Sequence, residues 1–244
     1  MSVSSETIEW LQWVSLTSIP LYRIDEQDKP VGVASGCLVT IADRKLVLSV
    51  SHATGTGRWI AEMRFDPAIG KTLIHYFGAQ WTVQRLYQSK SMPEELDFSF
   101  TEVPAEFHSM MQERNSTGVI VNERPRHEFM TALQEVPCNE EVYAFSGRVH
   151  PAQLDDVTFW LQPTVYPGLK YLRTEGDYYV FKLLVDHPGH DSFKGCSGAP
   201  IVDRKRQVVA LVCSGDIESN TITGIAARYV AEAIHAYLSS GDNA

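Results

Sequence analysis

From Pro20 to Ala226 the chain repeats one texture: short apolar runs rich in Val, Ile, Thr and aromatic residues, each bounded by turn residues. Such runs are too short for typical helices, and β-branched and aromatic side chains suit a pleated surface. Many short strands at this spacing point to a sandwich or a barrel, and closing a barrel removes exposed strand edges. Residues 31–41 and 45–51 flank Ala42-Asp43-Arg44 and read as a hairpin. Strands are expected at 59–65, 72–77, 81–87 and 97–103, and again at 141–149, 158–165, 170–173, 178–184, 199–202, 207–213 and 221–226.

Three segments depart from this pattern. Residues 5–16 place Ile8, Leu11 and Leu16 among polar residues, which predicts a short amphipathic helix, with Trp10 and Trp13 covering a core. Residues 227–238 put Val230, Ala233, Ile234, Tyr237 and Leu238 on one broad helical side, with Gly241 as a stop. Between them, residues 106–114 are helix-compatible and 122–126 are polar and turn-prone, so this stretch reads as a connection between two β units. The expected organisation is an N-terminal extension over 1–19, a first β unit over 20–104, a connection over 105–128, a second β unit over 129–226, and a C-terminal helix and tail over 227–244.

A chain of 244 residues removes roughly 70–75% of its unfolded surface from water and needs neither disulfides nor metals to fold. Its 21 Lys and Arg against 30 Asp and Glu give a net charge of −9, which argues against a general phosphate-backbone binder. No phosphate-binding loop and no basic aromatic stripe is present, so no nucleic-acid partner is expected. Cys37, Cys138, Cys196 and Cys213 form no C-x-x-C pair and read as reduced thiols, mostly buried. Met1-Ser2-Val3-Ser4-Ser5-Glu6 does not open a basic region followed by an apolar one, and no apolar run approaches the ~18 residues of a membrane span. The expectation is a soluble, cytoplasmic protein without a membrane partner.

Three stretches carry chemistry together. Val47-Leu48-Ser49-Val50-Ser51-His52-Ala53 is a strand-like run ending in His. Leu96-Asp97-Phe98-Ser99-Phe100 opens an apolar strand with Asp. Lys194-Gly195-Cys196-Ser197-Gly198-Ala199-Pro200 holds a Ser between glycines. Amide hydrolysis needs a nucleophile, a base to deprotonate it and a group to orient the base, and Ser, His and Asp fill those roles. Gly195 lets the backbone turn its amides inward, so the N–H groups of Gly195 and Ser197 are candidates to hold an oxyanion.

On these residues the chain resembles the chymotrypsin/trypsin-like serine peptidases, in the form of their intracellular bacterial and viral members that lack secreted disulfides. "VLSVSHAT" is similar to the family's "VLTAAHC", "LDFSF" to its "DIAL", and "GCSGAPI" to its "GDSGGPL". The order His, Asp, Ser, with separations of 45 and 100 residues, fits that layout. "SGCLV", "EEVYAFSGRV" and "VVALVCSGD" extend the likeness over roughly residues 30–240. The resemblance implies an all-β fold of two antiparallel six-stranded barrels with a C-terminal helix and a short N-terminal helical extension. It implies an endopeptidase acting on protein or peptide substrates through His52, Asp97 and Ser197, with Gly195 and Ser197 as the oxyanion hole and no metal or cofactor.

Further expectations follow from the resemblance. Asp191, six residues before Ser197, matches the trypsin-type position that favours Arg or Lys before the scissile bond. Ser192, Ser214, Gly215 and Gly224 would line the substrate site, with the Ser214 hydroxyl supporting Asp97 and the two glycines on the pocket walls. The stretch Asp186-His187-Pro188-Gly189-His190-Asp191 reads as a loop lining that pocket, because a Pro-Gly turn does not hold two His on one face as a metal site requires. Cys196 stands where cleavage-activated members keep an Asp, so activation by a new N-terminal amine is not expected, and a separately encoded regulator is possible. A thiol there is one residue out of register for the nucleophile. The alternative from another class is a dormant fold serving as a peptide-binding scaffold.

Overall fold

The computed structural model describes residues 4–78, 80–85, 94–116, 119–130, 133–153 and 159–241, with side chains left undescribed at 85, 148–153, 159–163, 191, 192, 240 and 241. The chain opens with helix α1 (Ser5–Val14), capped by the Ser4 side chain, which accepts the Thr7 N–H. Seven strands follow: β1 (Ile19–Ile24), β2 (Pro30–Ile41), β3 (Arg44–Ser49), then a one-turn helix α2 (Ser51–Thr54), β4 (Arg58–Asp66), β5 (Lys71–Tyr76), β6 (Trp81–Arg85) and β7 (Glu94–Glu102). A linking hairpin of β8 (Met110–Arg114) and β9 (Ile120–Pro125) precedes the short β10 (Glu128–Phe129). The second half holds β11 (Tyr143–Gln153), β12 (Phe159–Glu175), β13 (Tyr178–Lys182), the one-turn α3 (His190–Phe193), β14 (Pro200–Val202), β15 (Val208–Asp216) and β16 (Thr221–Ala226), and ends in α4 (Ala227–Gly241).

The second half closes into a six-stranded barrel in the order β11-β12-β13-β16-β15-β14. The first half forms a sheet in the order β5-β4-β1-β2-β3-β7-β6, with β10 added in parallel to β2, an arrangement consistent with the second barrel of a double-barrel fold. The hairpin between β2 and β3 turns through Ala42 and Asp43, both at positive φ (49° and 61°), the backbone that matches the right-handed twist of paired strands.

One apolar core joins the halves. Leu48, Phe98 and Phe100 of the first sheet pack in the same cluster as Val202, Leu211 and Ile225 of the barrel and Val230 and Ile234 of α4. Burying each of these large side chains contributes about 1.5–3 kcal/mol, so docking of the halves is part of folding rather than an addition to it. Helix α1 reinforces the joint. Trp10 is buried, its Nε1–H donates to the Asp203 carbonyl at 2.9 Å, and the Arg204 guanidinium lies 4.5 Å from its ring centre. A helix that leads into the first sheet is thereby fastened to the second barrel.

Two expectations are corrected. Residues 106–114 do not form a helix: β8 pairs with β9 as a two-stranded sheet. Tertiary contacts override the local preference, since Ser109 Oγ donates to the Glu62 carbonyl and Glu123 Oε1 accepts the Phe65 N–H, fastening the hairpin to β4. The strands expected at 158–165 and 170–173 are one long strand, β12, which runs through Gly168 at φ 79° and shifts register at Tyr143/Phe145 of β11 and at Tyr171/Arg173. Among the described residues no helix is long and apolar enough to cross a membrane.

Candidate active site

Strand β3 runs out at Ser49, and the chain turns at once into α2, which carries His52. Thr54 fixes this turn: its hydroxyl bonds the Val50 carbonyl at 3.0 Å and the Ser99 hydroxyl on β7 at 2.6 Å. Because Ser49 and Ser99 are register partners, Asp97 comes level with the first turn of α2. The Asp97 carboxylate then meets the His52 ring, with Nδ1 at 2.8 and 2.9 Å from its two oxygens, and accepts the His52 backbone N–H at 3.0 Å and the Ser51 hydroxyl at 3.2 Å. On the other side of the ring, Nε2 lies 3.1 Å from Ser197 Oγ. With Nδ1–H donated to Asp97, Nε2 is left to accept the serine proton.

Ser197 is held by two glycine turns. Lys194 at φ −53°, ψ 126° followed by Gly195 at φ 95°, with the Cys196 N–H donating to the Phe193 carbonyl at 3.0 Å, is the geometry of a type II turn. That turn requires a residue tolerant of positive φ at its third position. Gly198, at φ 88°, leaves no room for a side chain: a Cβ there would sit 2.1 Å from the Ser35 carbonyl oxygen and 2.3 Å from Ser49 Oγ. Ser35, fully buried on β2, crosses between the halves. Its hydroxyl donates to the Gly195 carbonyl at 2.6 Å and its N–H to the Ser197 carbonyl at 2.8 Å. Among the described residues, the N–H groups of Gly195 and Ser197 have no protein acceptor, which leaves both available to a ligand oxygen.

Burial raises the cost of charge on Asp97, but the hydrogen bonds from the His52 ring and backbone, the attraction of His52 and a bond from the Cys213 thiol together hold its carboxyl below the usual range. The support expected from the Ser214 hydroxyl therefore comes from Cys213. The cause is a register shift between Val212 and Ser214 in the β15–β16 ladder, which inserts Cys213 as an extra residue and sends Ser214 outward. The Cys213 thiol is itself pushed far up by burial and by the Asp97 charge, so it stays protonated; its Sγ also lies 3.5 Å from the Leu211 carbonyl and accepts the Ile225 N–H at 3.3 Å. Cys196 points the other way from Ser197, into the second barrel. It is 1% exposed, its Sγ lies against Gly147, and burial pushes its thiol up to about 12. It has neither the access nor the thiolate character of a nucleophile.

Two cavities flank His52. One of about 450 Å³ is lined by Asp97, Tyr178, Cys213, Ser214 and Thr223 together with His52, and the other, about 400 Å³, by Val33, His52, Ala53, Gly195 and Ser197. An extended chain crossing from one to the other passes Ser197 Oγ. Beyond Val212 the β15 edge opposite β16 has no strand partner among the described residues, a surface on which an extended chain can add as a strand. Gly215 lies on this stretch and packs against His187. Gly224 does not wall a pocket: a side chain there would meet the Leu211 carbonyl oxygen at 2.7 Å and then Ala210 and Ile201, so this glycine relieves strand packing inside the barrel. The side chains of Asp191 and Ser192 lie outside the described residues. Tyr178, Cys213 and Ser35 were not foreseen as site residues; only the polar Ser35 beside Gly36 ahead of the "CLV" run carried any signal. Among the described residues no three His, Cys, Asp or Glu side chains gather as a metal site.

No family model matches the sequence, and no curated protein matches it. Solved structures do. A serine endoprotease from Yersinia pestis superposes with a TM-score of 0.57 at 11% identity, over 99% of this chain and 69% of its own. The HtrA-type protease AlgW, bound to a tripeptide, superposes with a TM-score of 0.54 at 14% identity, over 98% of this chain and 65% of its own. This chain thus spans about two thirds of each. The similarity extends over nearly the whole chain, and the protein has the chymotrypsin-like double-barrel fold of these serine proteases.

Proposed function

We propose that the protein is a serine endopeptidase that hydrolyses peptide bonds through an acyl-enzyme. The observation that carries this reading is the unbroken chain from Asp97 through His52 to Ser197 Oγ, with contacts of 2.8 and 3.1 Å. In the first step Ser197 Oγ attacks the scissile carbonyl carbon while its proton passes to His52 Nε2, and the carbonyl oxygen becomes an oxyanion beside the Gly195 and Ser197 amides. The oxyanion collapses, the C–N bond breaks, and His52 gives its proton to the leaving amine. Water then repeats the sequence on the ester: His52 takes its proton, the acid leaves, and Ser197 Oγ recovers the proton. Asp97 keeps Nδ1 protonated and stabilises the imidazolium formed in each half. The sequence expectation of Arg or Lys before the scissile bond rests on Asp191, and no described side chain adds to it.

A fluorophosphonate probe tests the reading, since it esterifies only an activated serine. Labelling is expected in the wild type and in Cys196→Ala and is lost in Ser197→Ala. Turnover of a peptide library should fall by about 10⁴–10⁶ in Ser197→Ala or His52→Ala. A folded wild type that neither labels nor cleaves any peptide refutes the peptidase and supports a binding scaffold.

A further inference from the structure

The catalytic chain makes no use of the cations at the second cavity. That cavity, about 400 Å³, has Val31, Val33 and Ala53 as its apolar wall and Lys194 on its border beside Gly195 and Ser197. Arg23 of β1 is the register partner of Gly32, which lines the same cavity. Its stem lies over two glycines: a Cβ at Gly32 would be 3.3 Å from Arg23 Nε, and one at Gly57, at φ 88°, would be 3.0 Å from Arg23 Cδ. A larger residue at either place would displace the side chain, so the backbone beneath it sets where the guanidinium stands.

Arg23 is open to a ligand. It is exposed, and among the described residues it has no hydrogen bond, ion pair or ring contact. Two of the three acids in the turn after β1 are engaged elsewhere: Asp28 pairs with Arg58 at 2.9 Å, and Asp25 Oδ1 accepts the N–H groups of Gln27 and Lys29 at 2.9 Å. The chain carries a net charge of −9, so an anion gains from these two cations only at short range, once it is seated beside them. The free β15 edge offers main-chain pairing that can hold the acyl half of a substrate through both steps. The half that leaves then lies on the opposite side of Ser197, over the second cavity.

We propose that Arg23 and Lys194 are specificity-determining residues that select an acidic side chain, Asp or Glu, within the first three residues after the scissile bond. This deepens, and rests on, the peptidase reading. An extended chain advances about 3.3 Å per residue, so three residues carry it about 10 Å from Ser197 and across a cavity of this size. A carboxylate there accepts charge-assisted hydrogen bonds from the guanidinium or the ammonium, a carboxamide accepts weaker ones, and a cationic side chain is repelled. Both cations are exposed, so each contact is worth little and is screened by salt, and the selectivity is a few-fold rather than absolute. The leaving segment is gone before the ester is hydrolysed, so the preference falls on acylation and is read in kcat/KM.

The test is cleavage by the full chain of matched peptides that share one acyl half and carry Glu, Gln, Ala or Lys in turn at each of the first three positions after the scissile bond. Fluorophosphonate labelling is run alongside. At one of these positions Glu is expected to lead Gln by about three- to tenfold in kcat/KM, with Lys last. The lead shrinks as salt rises from about 20 to about 500 mM. Arg23→Gln and Lys194→Gln each lower the Glu-to-Gln ratio, Arg23→Lys restores part of it, and the double variant Arg23→Glu/Lys194→Glu makes Lys the best of the four. Each ratio compares two substrates on one enzyme, so a loss of folded protein cancels from it. A wild type whose Glu-to-Gln ratio stays within about twofold of one at all three positions, or a ratio unmoved by charge reversal, overturns this proposal while the peptidase stands. Labelling without cleavage of any peptide overturns this proposal as well, and absence of both labelling and cleavage overturns the two together.

Discussion

Ser35→Ala isolates the contact that assembles the site across the two halves. In the native protein the Ser35 hydroxyl donates to the Gly195 carbonyl at 2.6 Å inside a fully buried setting, while its own N–H continues to hold the Ser197 carbonyl at 2.8 Å. Alanine keeps the backbone bond and deletes the side-chain one, so the Gly195 carbonyl loses a buried donor without gaining water. The cost of such an unpaired group is about 1–3 kcal/mol. For a chain of this size that lowers the melting temperature by about 2–4 °C per kcal/mol. The same bond orients the Gly195–Cys196 peptide, whose turn presents the Gly195 amide. Whatever part of the loss is expressed only at the oxyanion appears in kcat, and the whole of it corresponds to about 5- to 150-fold. The assay pairs a urea melt followed by tryptophan fluorescence with kcat and KM on a cleaved peptide and the rate of fluorophosphonate labelling. The expected result is reduced stability, kcat down by at least about fivefold and KM little changed. A variant within about twofold of wild type in kcat and within about 0.3 kcal/mol in stability refutes the role assigned to this bond.

Three further outcomes are expected. Cys213→Ser keeps a polar hydrogen beside Asp97 and should retain most activity, whereas Cys213→Ala should lower kcat about tenfold and move the Asp97 titration upward, as read from the pH dependence of its carboxyl ¹³C resonance. Gly147→Ala places a Cβ 2.5 Å from Cys196 Sγ and should cost about 1–3 kcal/mol, with stability partly restored by the double variant Gly147→Ala/Cys196→Ala in chemical denaturation. Because the folded-state pKa of Asp97 lies below its ordinary value of 3.8, its contribution to stability is fully present above that value and is lost as pH falls through the lower, folded value. Melting temperatures measured from pH 6 down to the acid transition should therefore fall less steeply in Asp97→Asn, and parallel curves for the two proteins would contradict this.

The strand-rich texture, the hairpin at Ala42-Asp43, the order of His52, Asp97 and Ser197 and the need for Gly195 are all legible in the sequence, because each is local. Period-two burial, positive φ and a glycine turn are written in a few neighbouring residues. Three features were decided only by the tertiary structure. The helix-compatible stretch 106–114 became a hairpin because β4 supplied partners for Ser109 and Glu123. The support of Asp97 moved from Ser214 to Cys213 because one inserted residue in the β15–β16 ladder reverses which side chain faces inward, and alternation alone cannot show where a ladder slips. Ser35 and Tyr178 joined the candidate site because sheet closure and docking of the halves brought them to the Ser197 loop and its flanks from far along the chain. Local geometry is set by steric preferences within a few residues, whereas these contacts depend on register and docking, whose energies come from surfaces that exist only once the chain has folded.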